Sequence, residues 1–353
     1  MRVGRRQGLQ GQQRGGTGRA AGIAALAIVA SVVLIGGPPA AADRSRSRER
    51  SSRQPRGDTQ PSASDATPAR FVAEAGGRIA IVSADTGRVA RLLTTDQPGG
   101  GAQDPTVSPD GRTVWFSRAD GTCAAHLASV PVVGGDEQKI PGSGEAGPEG
   151  LPLPRPGRAQ LAYSRSGCGH PRQALVVGDL RGIEGHGQVG LVPLAWNRTG
   201  DHLLAATPDG AEVHLLSVNP GGAITDDEDV APADRAAECR LQVVGFSPDD
   251  NDGYVALRRC GGSGGYAPRR SLVLLDRNGR FRGAVLRLPR GQDFVDRPVF
   301  DSIGHSLLYT TAPADAASGT DRRGDQLSLW LWSDGESRVL GRQSHYRHPS
   351  WLP

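Results

Sequence analysis

Pro105-Thr106-Val107-Ser108-Pro109-Asp110-Gly111, followed by Thr113-Val114-Trp115-Phe116-Ser117, reads as a strand, a tight turn and a returning strand. Proline presets φ for such a turn and glycine accepts positive φ, so the turn residues carry a mechanism as well as a pattern. Degenerate copies follow at Pro154 to Ser164, Pro193 to Thr207, Val244 to Leu257 and Pro298 to Thr310. The sequence stops on Pro349-Ser350-Trp351-Leu352-Pro353, the first half of a sixth copy. The missing strand stands at the other end, where Ala69-Arg70-Phe71-Val72-Ala73-Glu74 matches Arg112 to Ser117. A ring closed by its own termini is the simplest arrangement that completes every copy.

The turn glycines Gly111, Gly157, Gly200, Gly253 and Gly304 lie 46, 43, 53 and 51 residues apart. Periods of about 40 to 50 residues with four short strands each are propeller blades. A third strand is expected in every unit, at Arg78 to Ser83, Ala124 to Val130, Ala174 to Gly178, Glu212 to Val218, Ser271 to Leu275 and Leu327 to Trp332. Hairpin turns such as Ala84-Asp85-Thr86-Gly87, Asp276-Arg277-Asn278-Gly279 and Ser333-Asp334-Gly335 follow several of them. The 50 glycines and 26 prolines suit many turns, and 37% hydrophobic with 5% aromatic residues suits a loop-rich β protein. The expected fold is all-β, a six-bladed β-propeller whose N-terminal strand joins the C-terminal blade. The phrase of an aromatic residue, Ser-Pro-Asp-Gly and an apolar strand resembles the TolB-type six-bladed β-propeller repeat, over about residues 69 to 353. That resemblance implies a scaffold and an interaction module, and identifies no substrate. The Trp-Asp and Gly-His signatures of WD-repeat proteins are missing. A sialidase Asp-box also loses ground, because Gly111 follows Asp110 at once where that motif has its glycine two residues after the aspartate.

Charge separates the two ends of the chain. The net +4 divides into +7 for residues 1–69 and −3 for the remainder. A near-neutral propeller carries no electrostatic footprint for nucleic acid. The basic end reads as targeting: Arg2, Arg5, Arg6, Arg14 and Arg19 precede an uncharged stretch with an apolar core, about residues 20–37. Residues 1–42 are therefore expected to be a signal peptide cut after Ala42, or a retained signal anchor of borderline length. No cysteine follows the apolar segment, which excludes a lipoprotein. Residues 43–68, rich in Ser, Arg and Pro, read as a disordered linker, and 69–353 as the propeller. The arginines between 44 and 56 favour retention of that flank inside. Large domains translocate largely regardless of charge, however, so the expected location is an extracytoplasmic propeller, single-pass at the cell membrane or secreted.

Four cysteines in an exported chain imply disulfides. Cys239 and Cys260 stand equidistant from the turn at Asp249-Asp250, opposite each other across a hairpin. Cys123 and Cys168 follow the second strand of consecutive units and are expected to share a face, close enough to pair if their loops bend together. Neither pair has zinc-site spacing.

Alternating strand direction predicts that the Pro-Asp-Gly-type turns share one face and the longer links the other. Recognition usually resides in variable loops on a rigid scaffold. On the long-loop face Asp104, Asp296, Arg297, His345 and His348 precede inner strands and are expected at the mouth of the central channel, as binding residues or as simple caps of the strand entrances. Trp330 and Trp332 are expected between blades, and Trp115, Trp196, Phe246, Phe300 and Trp351 in the core at matching positions.

Chemistry is poorly signalled. Gly261-Gly262-Ser263-Gly264-Gly265 fits G-x-S-x-G without the helix of a nucleophile elbow. His345 and His348 have no third ligand, and Asp226-Asp227-Glu228-Asp229 lacks an EF-hand's glycine and spacing. Asn197-Arg198-Thr199 is a formal glycosylation sequon. No catalytic residue, metal or cofactor is expected. The functional expectation is a membrane-tethered interaction or envelope-binding module with an unknown protein or envelope partner. The alternatives are an envelope small-ligand sensor, or a propeller-class hydrolase or lyase working at the channel mouth.

Overall fold

A computed structural model describes residues 69–353, apart from 98–99, 169, 233–238, 249–252, 262–268, 302–303, 315–326 and 343–345. The chain divides into two compact units, Met1–Ser62 and Ala63–Pro353, and all described residues belong to the second. The expected signal or anchor segment and the linker lie outside the described residues. Among the described residues no helix is long and apolar enough to cross a membrane.

Every regular element among the described residues is a strand, and the strands form six antiparallel sheets. Blade 1 runs from the channel outward as Tyr346–Trp351, Arg70–Ala75, Arg78–Ser83 and Val89–Leu92. The C-terminal strand thus pairs antiparallel with the N-terminal one, Phe71 opposite Trp351 and Ala75 opposite Tyr346. Blades 2 to 5 each take four successive strands, with inner strands Ala102–Val107, Glu149–Pro154, Val192–Trp196 and Cys239–Phe246. In blade 6 the inner strand is split into Gln292–Phe294 and Val299–Phe300, both paired with Ser306–Pro313.

The core is distributed around the ring as six apolar clusters, one at each blade interface. Val72 and Ile81 face blade 2 beside Val114 and Phe116, whereas their neighbours Phe71, Ala73 and Val82 face blade 6 beside Leu308 and Leu329. That alternation is the period of two that places successive side chains on opposite faces of a strand. The remaining interfaces, from 2–3 to 5–6, each hold their own cluster. Trp330 and Trp332 pack with the cluster between blades 5 and 6, as their alternation implies.

Turn chemistry fixes the hairpins. In blade 2 Gly111 takes φ 70° and donates to the Ser108 carbonyl at 2.8 Å, while Ser108 Oγ accepts from Thr113 N at 3.0 Å. The Asp110 carboxylate accepts from the Ser108 hydroxyl and the Arg112 N–H, which together hold its pKa below the ordinary carboxylate value. Thr207-Pro208-Asp209-Gly210 repeats the same hydrogen bonds, yet it joins the second and third strands of blade 4. Pro-Asp-Gly turns therefore occur on both faces, contrary to the sequence expectation, because the motif specifies a hairpin and not which hairpin of the blade.

Both expected disulfides are present. Cys239 and Cys260 are register partners in blade 5 with Cα atoms 4.0 Å apart, and Cys123–Cys168 ties blade 2 to blade 3 with Cα atoms 5.7 Å apart. One aromatic assignment needs correction. Trp196, Phe246, Phe300 and Trp351 each end an inner strand, but Trp115 lies on the second strand of blade 2 opposite Thr106, and Val107 holds the matching position. Residue type alone did not reveal which strand carried the aromatic ring.

Candidate functional site at the channel mouth

All six inner strands are interrupted at one level. The pairing register shifts between Gln103 and Thr106, Gly150 and Leu153, Pro193 and Ala195, and Val243 and Gly245, and across residues 348–349 of the closing strand. In blade 6 the same level is the gap between the two inner segments. Such bulges leave a residue unpaired and re-aim its side chain. Five of them carry proline, at Pro105, Pro152, Pro193, Pro298 and Pro349. Proline has no N–H to give a ladder, and it is tolerated here because the innermost strand has no neighbour on its channel side.

The residues at these bulges are His348 in blade 1, Asp104 in blade 2, Leu151 in blade 3, Leu194 in blade 4, Val244 in blade 5 and Arg297 in blade 6. All six line a single cavity of about 580 Å³ to which every inner strand contributes. Its wall is charged across blades 6, 1 and 2 and apolar across blades 3, 4 and 5. Asp104, Leu151 and His348 hold φ of 51°, 52° and 47°, a left-handed conformation that side-chain-bearing residues seldom adopt. Each costs of order 1–3 kcal/mol unless the surroundings enforce it, and residues so held concentrate where geometry serves a site.

The charged half forms one network around His348. Its Nδ1 lies 3.4 Å from both Glu74 Oε2 and Asp104 Oδ1, and its Nε2 lies 3.4 Å from Asp296 Oδ1. With carboxylates facing both ring nitrogens, the doubly protonated imidazolium is the form that can donate from both, and its positive charge is shared among the three. Burial of the ring opposes that charge. The Glu74 hydrogen bond, with Asp296 and Asp104 behind it, outweighs burial and raises the pKa above its ordinary 6.5. Asp296 has a side chain 1% exposed and accepts from the His348 N–H at 3.2 Å and from Arg347 Nη2 at 3.3 Å. Arg297 donates from Nη1 to the Leu194 carbonyl at 2.7 Å, a link from blade 6 to blade 4. Burial lowers the pKa of its guanidinium, against the pull of Asp104 and Asp296, although the residue keeps part of its surface open at the cavity wall.

Of the five residues expected at the mouth, Asp104, Asp296, Arg297 and His348 are therefore brought together, and His345 lies outside the described residues. Ser263 also lies outside them. Sequence reasoning missed Glu74, Arg347 and the apolar half. Leu151 and Leu194 flank prolines of inner strands as Asp104 and His348 do, and that was the signal available. The Asn197 sequon is a turn: the side chain is buried, its Nδ2 donates to Thr199 Oγ1 at 2.9 Å and Asp201 Oδ1 at 2.6 Å, and its Oδ1 accepts from the His202 N–H.

Six blades with this closure can be set beside solved structures. TolB from Acinetobacter baumannii superposes with a TM-score of 0.53 at 14% identity, over 81% of this chain and 67% of that one. The chain has the TolB-type propeller fold. A TolB-type structure from Agrobacterium tumefaciens, described as a putative TolB, gives a TM-score of 0.51 at 13% identity over 81% of this chain and 99% of that one. A chain of a nidogen/laminin complex gives 0.51 at 12% identity, over 81% and 98%. No protein-family model and no curated protein matches the sequence. At these identities the TolB-type likeness is one of architecture, and the roles of Asp104, Arg297 and His348 rest on their own geometry.

Proposed function

We propose that this protein is an extracytoplasmic interaction module, tethered by its N-terminal segment, that holds a cell-envelope partner at the channel mouth. The observation that carries the reading is the bulge ring, where six blades converge a charged arc and an apolar arc on one cavity. Largely apolar walls with a few convergent polar groups are the usual make-up of a binding site. Two disulfides support an oxidising compartment, and the TolB-type fold supports binding in place of catalysis. The apolar segment at about residues 20–37 would provide the tether, with residues 43–68 as its reach. A cavity of about 580 Å³ also falls within the range of small-ligand pockets, which favours an envelope ligand sensor as the second reading.

The test is capture from detergent-solubilised native cells with the wild-type chain, with Arg297→Ala and His348→Ala, and with Asp110→Ala on a tight turn as a control. A partner retained by wild type and by the control but lost by both channel variants supports the reading. Equal capture by all four proteins contradicts it.

A further inference from the structure

The two outer strands of blade 4, on the side of the blade away from its channel-lining inner strand, carry a second group of ligating side chains. The outermost strand Ile224–Asp229 pairs with Val213–Val218, placing Asp229 directly opposite His214. Asp227, two residues before Asp229, projects on the same face. His214 Nδ1 is 2.9 Å from Asp227 Oδ1 and 3.2 Å from Asp229 Oδ1, and the three donor atoms all lie within 4.8 Å of one another. Donors held about 2.0–2.1 Å from one first-row metal ion stand about 2.9 Å apart as octahedral neighbours and about 3.4 Å apart as tetrahedral ones. Both spacings from His214 Nδ1 to the carboxylates fall in that interval, which an ordinary hydrogen bond also spans.

Hydrogen bonding alone satisfies this group badly. Nδ1 carries at most one proton, which cannot point at two carboxylates at once, and the carboxylates repel each other. The surroundings also favour a cation. Gln188, on the outermost strand of blade 3, donates from Nε2 to the other oxygen of Asp227, Oδ2, at 2.7 Å. That bond turns Oδ1 towards His214, as partners behind a metal ligand commonly do. Oε1 of the same amide is closed off from solvent and accepts no hydrogen bond, an unmet acceptor beside the cluster. The groove between the two outer strands, about 570 Å³, is lined by His186, Gln188, Asp226 and Asp227 among others, with no Lys or Arg among its described lining residues.

We propose that His214, Asp227 and Asp229 form a binding site for a first-row divalent cation such as Zn²⁺, with the Asp227 carboxylate oriented by Gln188. An imidazole ligand selects this class over Ca²⁺ and Mg²⁺, which take oxygen donors. Three protein ligands, one of them the 86%-exposed Asp229, leave coordination positions open to water or to a group from another molecule. Bound there, the ion pins the outermost strand to the hairpin of blade 4.

The test is titration of the full-length, untagged protein with Zn²⁺ against a chromophoric chelator, alongside thermal unfolding with and without the metal. One equivalent is expected to bind and to raise the unfolding temperature. His214→Ala should abolish both effects, Asp227→Asn and Asp229→Asn should weaken binding by tenfold or more, and Gln188→Ala should weaken it by about tenfold. His348→Ala should leave binding unchanged. Asp229 is so exposed that its variant folds, so it decides the matter should His214→Ala be misfolded. Absence of binding would overturn the proposal, as would affinity insensitive to His214 and Asp229, or a site lost with His348, which would place the ion in the channel.

Discussion

Phe71 and Trp351, near opposite ends of the propeller sequence, are register partners in blade 1 with ring centroids 6.2 Å apart in an edge-to-face arrangement. The contact joins the first strand of the fold to the last, at the seam where blade 1 closes and packs against blade 6. Phe71 is fully buried against Leu308 and Leu329 of blade 6. Phe71→Ala is expected to destabilise the propeller by about 3–5 kcal/mol, the usual cost of emptying a buried aromatic site. Urea unfolding measures it, and a loss within 0.5 kcal/mol would mean that the ring does not close through this pair.

The disulfides give a prediction about both location and stability. Protein taken from native cells and alkylated before reduction should show no modified cysteine, and the double variant Cys239→Ser/Cys260→Ser should lose about 2–4 kcal/mol. Four alkylated thiols in the native protein would contradict export.

Glu149 links blades 2 and 3 through a buried carboxylate. It accepts from Ser143 Oγ at 2.5 Å, Gly144 N at 3.2 Å and Arg165 at 2.8 Å, and its side chain has no solvent exposure. Glu149→Ala removes the charge partner of Arg165 and leaves the Ser143 hydroxyl, which still accepts from the Leu127 N–H, without an acceptor for its proton. A loss of about 3 kcal/mol is expected, at the lower end for a broken buried pair because Arg165 is 25% exposed and recovers some hydration. The chemical unfolding midpoint checks it.

His348 should make stability depend on pH with a definite sign. Its folded pKa is raised above the ordinary 6.5, so the protonated ring stabilises the fold. That contribution is complete below the unfolded pKa of about 6.5 and is lost as pH rises through the higher folded value. Imidazole NMR should place the His348 midpoint above 6.5, and His348→Gln should flatten the fall in stability on the alkaline side. A midpoint below 6.5 would mean that burial wins over Glu74, Asp104 and Asp296.

The sequence made the ring legible because its turns and apolar alternation are local. Ser108-Pro109-Asp110-Gly111 names a hairpin, and the split copy at the termini names the closure. Cys239 and Cys260 were legible for the same reason, as they flank one turn symmetrically. What lay hidden depended on contacts across blades. Glu74 belongs to the charged cluster through its place beside the closing strand, while Leu151 and Leu194 face the channel through bulges marked only by a neighbouring proline, and Val244 through one that nothing local marks. The His214 cluster was concealed likewise: Asp226 to Asp229 reads as a solvated acidic run until strand pairing sets His214 opposite Asp229.

Recognition at the channel mouth can be read in native cells. A photo-crosslinking amino acid at Leu151, in the apolar arc, tests it most directly, with the same residue at Asp110 as the control. One discrete adduct is expected from position 151, disappearing when Arg297→Ala is added, and none from position 110. Adducts from position 110 alone, or an adduct from position 151 indifferent to Arg297, would contradict it.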